Sequence, residues 1–192
     1  MVYPIDRQSL QMAEMLVESV IKSVGDVSFM VVCVDDWNRD LSPWEAPAVY
    51  GNESFAGGAE DTLRFILDNC PDGRRLCIGG YSLAGLFSLW AACHTDMFSG
   101  VAAVSPSVWF PGFSDRFRNA SIHADSVYLS LGDRESSAKN PLLATVGDCI
   151  RDVHATLSDK KIPCILEWNE GNHFKDPGKR CERGFSWLLK NI

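Results

Sequence analysis

Gly79-Gly80-Tyr81-Ser82-Leu83-Ala84-Gly85 stands between a short apolar run at residues 76–79 and a helical pattern over residues 83–93. The order reads as strand, sharp turn, helix. In such a turn the central serine takes a strained backbone, and its neighbours must be small so that strand and helix can approach. Gly80, two positions before Ser82, and Ala84, two after, meet that need. The Ser82 hydroxyl then projects alone above a sheet edge, at the N-terminus of a helix whose free N–H groups and dipole favour negative charge. The Leu83 N–H is the first candidate donor to such a charge. A second is expected from the loop two strands earlier in sequence, Asp6-Arg7-Gln8, which nominates Arg7. The same letters also make an ordinary tight turn, so the rest of the chain decides.

Outward from this turn, short apolar runs alternate with helical patterns, as in parallel strands joined by crossover helices. Residues 2–5, 27–34, 76–79, 101–104, 127–131 and 164–168 read as strands. Residues 8–23, with Leu10, Ala13, Met15, Leu16 and Val20 at helical spacing, read as a helix ended by Gly25. Further helices are expected at 59–69, stopped by Cys70-Pro71-Asp72-Gly73, and at 83–93, 142–157 and 182–189. Residues 35–58, with Pro43, Pro47, Gly51, Gly57 and Gly58, read as a long loop at the carboxyl end of the second strand, where open parallel sheets carry function. The fold class is α/β, with about six mostly parallel strands. The 192 residues, 46% of them apolar, suffice for one core, so residues 1–192 are expected to be a single domain.

A nucleophilic serine needs a base. His173 lies in Glu170-Gly171-Asn172-His173-Phe174, just past the last expected strand, where Gly171 lets the loop carry an imidazole over the sheet's carboxyl edge. The other three histidines have plainer settings: His94 ends a helix, His123 lies in a polar loop and His154 sits within a helix. An orienting carboxylate is expected after the preceding strand, in Gly132-Asp133-Arg134-Glu135. Glu135 is favoured, since three residues beyond Gly132 the loop can turn inward; Asp133 is the alternative, and one of the two can pair with Arg134. The chain order Ser82, Glu135, His173 is that of hydrolases built on an open α/β sheet.

Composition narrows the partners. A net charge of −7 argues against a general attraction to nucleic acid or anionic lipid. The N-terminus lacks a basic start followed by an apolar stretch, and no apolar run approaches the length of a membrane span. Seven cysteines, an odd number with no C-x-x-C pair, read as reduced thiols, and the scattered histidines offer no zinc site. A cytoplasmic protein without membrane contact is expected, with the edge strand at 27–34 leaving a homodimer open.

The chain resembles the esterase family of α/β-hydrolases that contains esterase D and the enterochelin-esterase-like enzymes. Its carriers are Trp37-Asn38-Arg39-Asp40-Leu41-Ser42-Pro43-Trp44, the Gly80 to Gly85 turn, Ser105-Pro106-Ser107-Val108-Trp109, Gly132-Asp133-Arg134-Glu135 and Gly171-Asn172-His173-Phe174. The resemblance implies a carboxylic-ester hydrolase with no metal and no organic cofactor, whose serine, acid and histidine map onto Ser82, Glu135 and His173. It also implies that Trp109, with Trp37, borders the substrate. Two departures stand out. Only a few residues precede the first helix, where the family usually has an antiparallel hairpin, and the usual place for a cap holds only residues 105–126. A reduced, lidless sheet with a shallow, wet pocket is expected, suited to a small soluble acyl ester cleaved through an acyl-enzyme. A thioesterase or acyltransferase using the same residues, or a non-catalytic ligand- or partner-binding protein, are the other readings.

Overall fold

The computed structural model describes residues 1–49, 51–71 and 76–192. Its three central strands, β5 (Leu76–Tyr81), β6 (Phe98–Val104) and β7 (Ser126–Gly132), are almost entirely buried. Strands covered on both faces can be apolar throughout, which is why they read as runs and not as alternations. Around them lie β1 (Val2–Asp6), β2 (Met30–Val34) and β8 (Cys164–Asn169). The six form one sheet in the order β2-β1-β5-β6-β7-β8, and every adjacent pair is parallel.

Two layers of helix cover the sheet. Helices α1 (Leu10–Val24) and α8 (Pro177–Lys190) pack together on one face, over Tyr3, Ile5, Val104 and Tyr128. The opposite core takes its side chains from α3 (Ala59–Asn69), α4 (Leu83–Ala91), α5 (Phe113–Asn119) and α7 (Val146–Asp159). All nine residues of α4 are buried, so this helix has no polar stripe to betray its period. Among the described residues no helix is long and apolar enough to cross a membrane.

The boundaries differ from the sequence reading for identifiable reasons. Strand β2 begins at Met30, not at 27, because its neighbour begins at Val2 and Val2 pairs with Met30. Residues 35–58 are not a plain loop. They hold α2 (Trp37–Asp40), capped by Asp36 Oδ1 accepting from the Arg39 N–H at 2.9 Å, and a two-stranded antiparallel pair, β3 (Glu45–Ala46) with β4 (Phe55–Ala56). The expected helix at 142–157 is two: α6 (Pro141–Ala144), capped by Asn140, and α7. The expected stop after α3 includes Asp72 and Gly73, which lie outside the described residues.

This strand order places the site. The chain steps outward from β1 to β2, returns to β5 on the other side of β1, and then steps the opposite way. Strands β1 and β5 therefore flank a topological switch point, where the loops leaving their carboxyl ends diverge and open a crevice. Asp6 ends β1, and Ser82 follows β5 directly.

Candidate active site

Ser82 sits between β5 and α4 with φ 58° and ψ −119°. A non-glycine residue holds positive φ only under compulsion from its surroundings. Here the Ser82 N–H donates to the Val104 carbonyl at 3.1 Å, while its own carbonyl accepts from Leu86 at 3.1 Å and from Ser107 at 3.0 Å. Gly80 makes the turn possible, since a Cβ there would lie 2.5 Å from the Ala84 Cβ. Leu83 opens α4, so its N–H has no carbonyl of its own helix to bond.

His173 stands on the loop after β8, and its imidazole is 30% exposed. Nε2 is 3.1 Å from Ser82 Oγ, and Nδ1 is 2.7 Å from Glu135 Oε2. With a neutral imidazole, Nδ1–H donates to the carboxylate and Nε2 accepts from the serine hydroxyl. Of the two carboxylates the sequence offered, Glu135 reaches the imidazole. Asp133 instead accepts from the Gly171 N–H at 2.7 Å, bracing the loop that carries His173. The Tyr81 hydroxyl donates to the His173 carbonyl, and its ring lies 5.1 Å from the imidazole. Burial raises the Tyr81 phenol to about 12, so it remains a donor.

The Glu135 side chain is only 4% exposed. Burial alone would push its carboxyl up. The hydrogen bond and charge of His173, the Gly132 N–H at 2.7 Å and the Ser105 hydroxyl outweigh that and hold it below the usual carboxylate range. A buried cation, Arg180, also contacts it: Nη1 donates to Glu135 Oε1 at 3.0 Å.

The remaining candidates divide. Trp37 is half-buried and lines a cleft of about 280 Å³ with Ile5, Asp6, Met12, His173 and Phe174. Phe174, 80% exposed, stands in the wall of that cleft. Trp109 is not part of it; its indole packs against Phe55 and Phe110, two residues beyond Ser107. Arg7 begins a single helical turn after β1, and its guanidinium pairs with the exposed Asp35. A larger groove of about 820 Å³ lies among α3, α4 and α5 and contains none of Ser82, Glu135 or His173. Three neighbours of the site were not singled out from sequence. Ser107, whose Oγ is 3.3 Å from Ser82 Oγ, and Tyr81 lay within quoted motifs; Arg180 lay in a stretch with no helical reading.

No protein-family model and no curated protein matches the chain. Solved structures do. A siderophore hydrolase, EstA, of Aspergillus nidulans superposes with a TM-score of 0.72 at 20% identity, over 99% of this chain and 82% of its own. A second from the same organism, EstB, gives 0.67 at 19% identity over 98% and 81%. The acyl-protein thioesterase 2 of Zea mays gives 0.61 at 17% identity over 99% and 92%. The likeness is one of fold: a single sheet of six parallel strands with helices on both faces, the fold of the α/β-hydrolases.

Proposed function

We propose that this protein is a serine carboxylic-ester hydrolase working through an acyl-enzyme on Ser82. The observation that carries the proposal is the unbroken line from Ser82 Oγ to His173 at 3.1 Å and from His173 to Glu135 at 2.7 Å. In this reading Ser82 Oγ attacks the acyl carbon while His173 Nε2 takes its proton, then passes it to the leaving alcohol. Water, deprotonated by the same nitrogen, hydrolyses the acyl-enzyme. Glu135 fixes the tautomer and balances the imidazolium. The Leu83 N–H stabilises the oxyanion, helped by the Arg7 N–H; one such donor is worth roughly 10²–10³ in rate.

The cleft beside His173 supports an apolar or planar group on the substrate, received by Trp37, Met12 and Phe174. A small soluble ester suits so open a site. The likeness to two siderophore hydrolases recommends ester-linked siderophores for an assay panel, and the likeness to a thioesterase recommends a thioester. The seven cysteines form no disulfide among the described residues, and reduced thiols suit a reducing, cytoplasmic setting.

The test is covalent labelling by a fluorophosphonate probe, followed by turnover of short p-nitrophenyl esters, an ester-linked siderophore and a thioester. Wild type is expected to label and to hydrolyse at least one ester, and Ser82→Ala to do neither. A Ser82→Ala protein with undiminished turnover would sink the proposal.

A further inference from the structure

Arg180 is 3% exposed, and its guanidinium donates in four directions. Nη1 reaches Glu135 Oε1 at 3.0 Å and Ser105 Oγ at 3.1 Å; Nη2 reaches the Glu170 carbonyl at 3.1 Å and the Asn172 carbonyl at 3.0 Å. Those acceptors belong to the three loops that leave the carboxyl ends of β6, β7 and β8. The first carries Ser107 to Ser82, the second carries Glu135 and the third carries His173. The four Nη hydrogens of a planar fork can serve all four acceptors at once, one more than the three donors of an ammonium. Gly132 leaves room for it: a Cβ there would lie 3.0 Å from both Nη atoms.

We infer that Arg180 is the positioning residue of the site, a buried guanidinium that holds the acid and the histidine loop in register and so governs turnover, not substrate binding. The inference rests on the hydrolase reading of Ser82, His173 and Glu135. The two oxygens of Glu135 divide the work. Oε1 is anchored by Arg180 and the Gly132 N–H, which leaves Oε2 in one orientation toward Nδ1 of His173. On the histidine side Arg180 holds the carbonyls of Glu170 and Asn172, on either side of Gly171. Without the fork, Glu135 can rotate about its remaining anchor and the imidazole loses part of its support. A misplacement of about 1 Å in such a constellation costs on the order of 10²-fold in rate.

The experiment compares wild type, Arg180→Lys and Arg180→Gln for thermal melting, kcat, KM and the downfield proton NMR signal of the His173 Nδ1–H. Arg183→Met serves as control, since that exposed arginine pairs with Glu167 one turn along α8. Either Arg180 variant that folds is expected to lose roughly 10²-fold in kcat with KM changed less than about threefold, and to lose or broaden the downfield signal. The control is expected to match wild type. The inference is overturned if kcat stays within about twofold, if the loss falls on KM, or if the signal is undisturbed. It is also overturned if neither variant folds, because the guanidinium is then a requirement of the fold. Ser82→Ala is run alongside: activity there defeats the hydrolase reading itself, whereas an inactive Ser82→Ala beside a fully active Arg180→Lys defeats the present inference alone.

Discussion

Glu135 shows how one side chain can be both structural and chemical. Its burial would by itself favour the neutral acid, yet His173, the Gly132 N–H and the Ser105 hydroxyl all stabilise the carboxylate, and the carboxyl lies below its ordinary value of 4.5. A folded value below the unfolded one means that ionised Glu135 stabilises the fold. That contribution is complete above the ordinary value and is lost as pH falls through it toward the depressed folded value. The wild-type thermal midpoint is therefore expected to drop on acidification through this range, and Glu135→Gln to start lower but respond less steeply. Scans of melting temperature against pH check this, and equal slopes would refute it. In turnover, Glu135→Gln presents an amide where Nδ1–H needs an acceptor and is expected to lower kcat by as much as about 10⁴-fold. Asp133→Asn, which keeps an oxygen able to accept from Gly171, is expected to cost less than about tenfold. The reverse ranking would make Asp133 the acid and overturn the assignment.

The turn from β5 into α4 is the element on which the hydroxyl's position depends. A Cβ at Gly80 meets the Ala84 Cβ at 2.5 Å, so Gly80→Ala must push strand and helix apart or twist the turn. The expected cost is about 1–3 kcal/mol, typical of overpacking, read as a fall in the urea midpoint at unchanged slope, together with slower probe labelling as Ser82 shifts. Unchanged midpoint and labelling would mean that the elbow is not tightly packed. This element was legible in sequence because its requirement for small residues is local and falls on consecutive positions. So was the helix Ala59–Asn69, whose apolar spacing and flanking Gly58 and Pro71 mark both ends. Helix α8 was not: it begins at Pro177, not at 182, because proline at the first helical position keeps its fixed φ and loses no bond that the helix needs. The expected helix at 182–189 leaves out this first turn, which opens on Pro177 and Gly178 and delivers Arg180. The pair β3 and β4 was likewise illegible, because two residues per strand carry no alternation. Glu135 was favoured over Asp133 from its place three residues past Gly132, and it is the carboxylate that reaches His173; the bond of Asp133 to the Gly171 N–H depends on how a tertiary loop closes, which spacing alone does not encode.

At the scale of the whole molecule, one sheet serves two cores. Phe185 of α8 is fully buried on one face, edge-on to Tyr3 with centroids 5.0 Å apart, while Trp90 and Trp109 belong to the core on the other. Both layers rest on the same strands, and the central ones are buried on each side, so neither layer can leave without uncovering the sheet that supports the other. We propose on that ground that residues 1–192 unfold as one unit. The fluorescence of tryptophans in the Trp90 layer and the helical circular dichroism, to which α1 and α8 contribute, are expected to follow one urea transition. Phe185→Ala removes a large ring that the neighbouring helices cannot fully replace, at a cost of about 3–5 kcal/mol, a large share of the roughly 5–15 kcal/mol that holds a domain folded. If the layers are coupled through the sheet, both signals move to the same lower midpoint, although most of the tryptophans lie across the sheet from the lesion. If α1 and α8 instead form a separable layer, the dichroism moves first and the tryptophan transition stays near its wild-type position. His173 hangs between β8 and α8, so that outcome would allow the imidazole to be withdrawn from Ser82 without unfolding the core beneath it.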